Sequence, residues 1–211
     1  VAGSGALTAG GVTYTFDGLG RTVTRGNLTL TYGPNGQIAT AQKGGGSWSF
    51  LYDEGGQRIL KRDASGNPAA AYLAGGNYLD ESGLTQPMRV DGQLVGLLKN
   101  GVFQLLSTDR RGTVMADVDG TERLASPFGE RTVHPASAAA LDYVEKAYDA
   151  DLGFVRMGVR DYDTQINRFT TPDPVFLETV EKCRASPVEC NLYSYVSNRP
   201  LDLVDPTGTT G

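Results

Sequence analysis

A strand–turn–strand pattern recurs through residues 1–80 and limits what this chain can fold into. The tyrosine near the start of each unit is Tyr14, Tyr32 or Tyr52, so the units are spaced by 18 and 20 residues, as in a structural repeat. The units are Tyr14–Arg21, Leu30–Gln37 and Phe50–Arg58. Each has an Asp-Gly or Asn-Gly type turn between alternating residues, which predicts a β-hairpin. A lone hairpin cannot bury its apolar face, so successive hairpins must stack or join edge to edge.

Composition supports many short strands and argues against several classes of protein. Glycine supplies 28 of the 211 residues, nearly twice the usual share of about 7%, and it follows no three-residue period. The net charge of −5, with 19 basic residues that form no cluster, argues against a nucleic-acid partner. No apolar run approaches the roughly 18 residues of a membrane span. The first five residues lack the features of a signal peptide, so we expect an internal part of a longer chain.

Strand-like segments continue to about residue 133, as in Leu94–Leu98 and Val102–Leu106. Between them and the next region, Asp117–Glu122 resembles half of a calcium-binding loop. It lacks the later ligands and the flanking helices of an EF-hand, so we predict a hairpin turn there.

Two stretches predict helices. Ala136–Tyr148 is rich in alanine and has apolar residues three positions apart. Val175–Arg184 follows Asp173-Pro174, in which aspartate is a good N-cap and proline a good first helical residue.

The window Gly158–Pro174 concentrates an arginine and three aspartates, and Asn191–Tyr195 and Val204–Gly208 follow it. With the upstream signatures Thr108–Val114 and Pro127–Glu130, the order of these motifs closely resembles the C-terminal Rhs core of bacterial Rhs/YD-repeat proteins. That group includes polymorphic toxin carriers and the C components of insecticidal toxin complexes. The hairpin units likewise resemble the YD repeat of Rhs proteins and teneurins.

The resemblance implies a mainly β protein built from antiparallel YD-repeat hairpins. Residues 1–106 would form part of a spiralling β shell, or cocoon. Residues 107–211 would be the Rhs core, with one or two short helices, a self-cleaving aspartyl protease and the terminal Asp-Pro-x-Gly motif. The shell would enclose a toxin, and self-cleavage would release it.

Hydrolysis of a peptide by carboxylates needs two of them close together, one to activate water and one to donate a proton. A nearby arginine can stabilise the oxyanion. The resemblance assigns Arg160 and Asp173 to the protease and, as the second carboxylate, Asp161, with Asp163 as a substitute. In a regular strand Asp161 and Asp163 would share one face, while Arg160 would point to the other.

The same residues have plain structural alternatives. Asp163–Asn167 could form a turn, and Asp173 could cap a helix. Asp205–Gly208 suits a type I turn.

The substrate implied by the resemblance is the chain itself. The cleavage region would comprise Gly208, Thr209, Thr210 and Gly211. The family's cut usually lies beyond a leucine that follows the Asp-Pro-x-Gly motif, and Thr209 stands in place of that leucine, which leaves the exact scissile bond open. The implied partners are preceding Rhs repeats of the same polypeptide, the C-terminal toxin domain, and a secretion spike or second shell component. The protein would be secreted or delivered from a bacterial cell.

No cofactor or metal site is expected. Cys183 and Cys190 lack clustered histidines, and they suit either a disulfide or two free buried thiols. His134 has no nucleophile motif beside it, and Gly44–Gly46 lacks the Lys-Ser/Thr of a phosphate loop.

A non-catalytic structural or adhesive module, similar to teneurins, is the alternative function. In that case Trp48 and the repeat tyrosines could bind glycans, although aromatic residues at strand spacing more often pack across strands.

Overall fold

Twelve antiparallel strands form one sheet in which each strand pairs with the next along the chain. The computed structural model describes residues 5–174 and 190–209. The strands of this long sheet are β1 (Ala6–Ala9), β2 (Val12–Phe16), β3 (Thr22–Arg25), β4 (Leu28–Tyr32), β5 (Ile38–Lys43), β6 (Gly46–Tyr52), β7 (Arg58–Arg62), β8 (Pro68–Tyr72), β9 (Tyr78–Asp80), β10 (Gly83–Val90), β11 (Gln93–Lys99) and β12 (Val102–Leu105). The predicted succession of antiparallel hairpins is confirmed.

Two kinds of turn alternate along much of the long sheet. One is a two-residue turn; between β5 and β6 both of its residues, Gly44 (φ 57°) and Gly45 (φ 86°), are left-handed. Such turns match the twist of the strands and favour glycine or asparagine. The glycine run of the sequence is therefore a hairpin turn.

The other turn is the repeat turn predicted from the sequence. In its first copy, the Asp17 amide donates to the Arg21 carbonyl, and the Gly20 amide donates to the Asp17 carbonyl. Gly20 has a φ of 79°, and the strand register shifts just before the turn, between Thr15 and Phe16, as in a β-bulge. The same backbone pattern occurs at Asp117–Thr121, which confirms the predicted hairpin turn.

Six further strands lie after the long sheet. They are β13 (Ser107–Thr108), β14 (Val114–Ala116), β15 (Tyr148–Asp149), β16 (Phe154–Met157), β17 (Arg160–Asp163) and β18 (Arg168–Phe169). The first two pair with each other, and the last four form a small antiparallel sheet in sequence order. Two short 3-10 helices, Ala74–Gly76 and Val196–Asn198, complete the elements of the described residues.

The small sheet packs against one face of the long sheet. Leu152 and Phe154 are fully buried against Leu28, Ile38 and Phe50 of β4–β6. Burying such a side chain contributes about 1.5–3 kcal/mol. A second cluster lies on the other side of the small sheet, where Tyr143, Tyr162, Phe169 and Tyr195 pack together. The small sheet is therefore covered on both faces, which explains why every residue of β17 is buried.

The helix predicted for Ala136–Tyr148 is wrong. Val144 (φ 46°) and Glu145 (φ 60°) are left-handed, and the Asp142 amide donates to the Lys146 carbonyl in a tight turn. The Asp142 carbonyl accepts from the amide of Val114 in β14. These tertiary bonds take backbone groups that a helix would use, so packing overrides the local propensity of alanine. The described residues contain no α-helix. The helix predicted for Val175–Arg184 lies outside them.

The described part of the chain has no helix long and apolar enough to cross a membrane.

Candidate functional site

Strands β16 and β17 bury four charged side chains within a few residues of one another. These are Arg156, Arg160, Asp161 and Asp163, all less than 9% exposed. A buried charge is costly unless it is paired and hydrogen-bonded. The alternation of a strand sends Asp161 and Asp163 to one face and Arg160 to the other, as expected from the sequence.

Asp161 pairs with arginines of both sheets. Its Oδ2 lies 3.2 Å from Arg58 of β7 and 3.2 Å from Arg156 of β16. Arg58 also pairs with Asp149 at 3.1 Å, and its guanidinium lies 4.2 Å from the centroid of the Phe50 ring. Asp161 is thus held in a buried charge network that joins the two sheets.

Asp163 also pairs with an arginine of the long sheet, in a strand nearer the start of that sheet. Its Oδ2 lies 2.8 Å from Nε of Arg25 in β3, and its Oδ1 accepts from the Gln165 amide at 2.9 Å. Burial raises the pKa of the Asp163 carboxyl above its usual value, and the positive charge of Arg25 opposes this shift.

Arg160 is the centre of a separate group on the other face of β17. One terminal nitrogen lies 3.0 Å from Asp173 Oδ2 and 3.7 Å from Asp205 Oδ2. The other donates to the Leu192 carbonyl at 3.1 Å, and Nε donates to the Gly208 carbonyl. Burial lowers the pKa of Arg160 to about 10 even though both carboxylates raise it, so the guanidinium is charged at neutral pH.

Residues 205–209, here called the terminal segment, are held in place by hydrogen bonds to the Asp205 side chain. Asp205 is fully buried, and its Oδ1 accepts from the amides of Thr207 (3.3 Å), Gly208 (2.8 Å) and Thr209 (3.2 Å). The Asp205 side chain thus binds three successive amides and is the anchor of the segment.

Three successive carbonyls of the terminal segment are each bound by a donor of the core. The Pro206 carbonyl accepts from Lys146 Nζ at 2.6 Å. The Thr207 carbonyl accepts from the Val159 amide at 2.9 Å, and the Gly208 carbonyl accepts from Arg160. The segment therefore runs across the site in a defined orientation.

Two glycines allow this close approach. A Cβ on Gly158 would lie 2.1 Å from the Thr207 carbonyl oxygen, and a Cβ on Gly208 would lie 1.8 Å from the Met157 carbonyl oxygen. Both contacts are with backbone, and both glycines have positive φ, so any side chain would force the terminal segment away from β16 and β17.

The structure brings together some of the residues named from the sequence and separates others. Arg160, Asp173 and Gly208 meet, whereas the ion pairs of Asp161 and Asp163 are made elsewhere. Thr209 ends the described segment, and Thr210 and Gly211 lie outside the described residues.

Sequence reasoning missed Asp205 and Lys146 as members of the site. The available signal for Asp205 was the Asp-Pro pair that repeats Asp173-Pro174.

Residues set aside in the sequence have structural partners. His134 Nδ1 lies 2.7 Å from Asp142 Oδ2, and its ring stacks on Tyr148 at a centroid distance of 3.5 Å. Trp48 is partly buried against the cluster of β4–β6. Cys190 is in a disulfide, and the other cysteine of the chain, Cys183, lies outside the described residues. No cluster of three or more metal-ligating side chains occurs in the parts of the chain that the structure describes.

Comparison with known proteins identifies relatives of nearly the whole chain. The family model described as Teneurin YD-shell matches residues 5–201. Teneurin-1 of Gallus gallus is 26% identical over 223 residues, which cover 92% of this chain and 8% of that protein. Teneurin-4 of Homo sapiens is 26% identical over 220 residues, covering 91% of this chain and 8% of the relative. The chain thus spans less than a tenth of the length of these curated relatives.

Solved structures share the fold. The crystal structure of TcdB2-TccC3 superposes with a TM-score of 0.66 at 22% identity, over 92% of this chain and 11% of that one. TcdB2-TccC3 without its hypervariable C-terminal region gives a TM-score of 0.66 at 20% identity, over 97% of this chain and 12% of that one. At these identities the likeness shows a common fold alone.

Proposed function

The chain belongs to the teneurin YD-shell family, and from this premise we propose that it closes the shell of an Rhs-type toxin carrier and cuts its own chain beside Gly208. The contact that carries the proposal is the bridge made by Arg160. This one buried guanidinium binds both the Gly208 carbonyl oxygen and the Asp173 carboxylate. A peptide bond of the chain itself is thereby held beside a cation and a carboxylate.

The arrangement suits hydrolysis of the peptide bond after Gly208. Attack on the carbonyl carbon moves negative charge to its oxygen, and Arg160 is placed to stabilise that charge. Asp173 is 18% exposed, so solvent reaches it, and it acts as the base that activates the attacking group. A second carboxylate supplies the proton that the leaving nitrogen takes up.

Two aspartates are candidates for the second carboxylate. Asp205 shares a terminal nitrogen of Arg160 with Asp173 and belongs to the segment to be cut. Asp161 is the residue indicated by the family motif, but here it pairs with Arg58 and Arg156. Asp161 would act directly only if β17 moved out of this charge network.

The test is self-cleavage of a fusion in which the preceding shell repeats come first and a reporter protein follows Gly211. Intact mass should show wild type trimmed within residues 208–211, and Asp173→Asn uncut. Asp202→Asn is the matched control, because Asp202 is exposed and pairs only with the exposed Arg199 in the described contacts; it should cut like wild type. Asp205→Asn and Asp161→Asn then identify the second carboxylate. A wild-type fusion that is folded yet stays full length would refute self-cleavage.

The carrier role rests on the layout of the sheets. Residues 1–106 would supply shell wall, and residues 107–211 would be the core that plugs its end, because the small sheet covers the face of β4–β6. Among the described residues, strand β1 is an edge of the long sheet, and this edge would pair with the preceding repeats of the same polypeptide. The passenger would be a C-terminal toxin, with a secretion spike or second shell component as a further partner. Delivery out of a bacterial cell follows from that role.

A non-catalytic shell or adhesive module is the second candidate. It is favoured by the finding that Asp161 and Asp163 both have complete structural roles in buried ion pairs. In that case Asp173→Asn would leave every property of the fusion unchanged except stability. Glycan binding that is lost in Trp48→Ala, with Phe103→Ala as an exposed aromatic control, would support the adhesive role.

A further inference from the structure

Thr209, the last residue of the terminal segment, has a hydroxyl group that takes no part in hydrolysis by water alone. Thr209 Oγ1 lies 2.7 Å from Thr207 Oγ1, and Thr207 Oγ1 donates to Asp205 Oδ1 at 3.5 Å. The Thr209 hydroxyl is therefore connected to a buried carboxylate through one intervening hydroxyl. Such a series can carry a proton from a nucleophile to a base.

The carbonyl that precedes Thr209 is the one bound by Arg160. The Gly208 oxygen accepts from Arg160 Nε. This contact polarises the carbonyl and can stabilise the oxyanion that forms during attack. A threonine hydroxyl can reach the carbonyl carbon of the preceding residue through a five-membered ring, so the reaction needs no external nucleophile to approach. Gly208 has no side chain to obstruct this ring.

We propose that Thr209 is the first nucleophile of self-cleavage and that the reaction begins as an N-to-O acyl shift at the Gly208–Thr209 bond. This inference rests on the proposed function and specifies its first step. It assigns a role to the threonine that replaces the usual leucine of the family.

The step balances within the site. Thr209 Oγ1 forms a bond to the Gly208 carbonyl carbon, and its proton passes through the Thr207 hydroxyl to the Asp205 carboxylate. Arg160 pairs with the oxyanion of the tetrahedral intermediate. The carbon–nitrogen bond then breaks, and the Thr209 nitrogen takes up a proton from the carboxylic acid. The product is an ester between Gly208 and Thr209 Oγ1, an isomer of the starting peptide.

Water completes the reaction. Activated by Asp173, it hydrolyses the ester, which leaves a carboxylate on Gly208 and restores the Thr209 hydroxyl. The released part of the chain therefore begins with a free amino group on Thr209. Because esters react with nucleophiles far faster than amides do, the intermediate can be captured chemically.

The test uses the reporter fusion described above, with and without hydroxylamine. In wild type, hydroxylamine should speed reporter release and leave a hydroxamate on Gly208, identified by the mass of the C-terminal peptide. Thr209→Val keeps the shape but lacks the hydroxyl and should stay uncut, whereas Thr209→Ser should cut. Thr207→Val interrupts the proton path and should slow release on the order of a hundredfold or more.

The outcomes separate this inference from the proposed function. If Thr209→Val cuts at the wild-type rate and wild type yields no hydroxamate, the acyl shift is refuted while hydrolysis by aspartates still stands. If wild type never cuts, both fail. Hydroxamate formation in wild type decides the matter even if Thr209→Val should fold poorly, and the melting temperatures of the variants report on folding.

Discussion

Arg58 of β7 and Asp161 of β17 form a buried ion pair of 3.2 Å, although 103 residues separate them in sequence. Both side chains are at most 3% exposed. The pair joins the small sheet to the long sheet. It lies on the face of β17 opposite to Arg160, which belongs to the candidate catalytic group. Arg156 and Asp149 belong to the same network, in which Lys61 also pairs with Asp149 at 2.7 Å, so its charges are mutually compensated.

We expect Arg58→Met to destabilise the protein by about 3–5 kcal/mol, because it leaves two buried carboxylates with less compensation. Arg199→Met is the control, since Arg199 and Asp202 are more than half exposed and their pair should contribute less than about 1 kcal/mol. Denaturant unfolding measures both changes. In the double variant Arg58→Met/Asp161→Asn the loss should be smaller than the sum of the single losses. Additive losses would show that the pair is not coupled.

Gly158→Ala should detach the terminal segment from β16 and β17. The added Cβ would meet the Thr207 carbonyl oxygen, so the Val159–Thr207 hydrogen bond and the Arg160–Gly208 contact should both be lost. Hydrogen exchange at the Val159 amide should accelerate, and self-cleavage should stop. Gly92→Ala is the matched control, because Gly92 also has positive φ (78°) but nothing lies within 4 Å of its added Cβ. Equal effects of the two substitutions would mean that backbone strain, and not close approach, is responsible.

Titration of Asp163 should make stability depend on pH. Its folded pKa is raised above the usual 3.8, so between that value and the folded pKa the native protein keeps a proton that the unfolded chain has lost. The free energy of unfolding must therefore fall as the pH rises through this window. Urea unfolding at stepped pH should show this fall in wild type but not in Asp163→Asn, and the difference between the two curves isolates Asp163. Parallel curves would contradict the shift.

The hairpins could be predicted from sequence because each repeat turn is fixed locally. Asp17, Gly20 and Arg21 make the defining hydrogen bonds within five residues of chain. The family motif named both Arg160 and Asp173, which lie 3.0 Å apart in the structure. In contrast, Lys146 reaches Pro206 from 60 residues away, and no local pattern announces such a contact. The alanine-rich stretch before Lys146 wrongly predicted a helix, because backbone hydrogen bonds with β14 outweigh its helical propensity.

Lys146 should position the terminal segment for cleavage without taking part in the chemistry. Its Nζ donates to the Pro206 carbonyl at 2.6 Å, and burial lowers the pKa of this amine while the charge of Asp205 opposes the shift. Lys146→Met keeps the length of the side chain but removes the donor. A charge-assisted hydrogen bond is worth about 1.5–3 kcal/mol, so self-cleavage of the reporter fusion should slow about tenfold or more.

The Lys146 prediction includes a readout that a general loss of stability would not give. Lys146→Arg, which restores a charged donor, should recover much of the cleavage rate. Arg110→Met removes an exposed cation elsewhere and should cut at the wild-type rate. If Lys146→Met cuts as fast as wild type, Arg160 and the Val159 amide hold the segment by themselves. If Lys146→Met slows cleavage only in proportion to a loss of melting temperature, the residue stabilises the fold and does not position the bond.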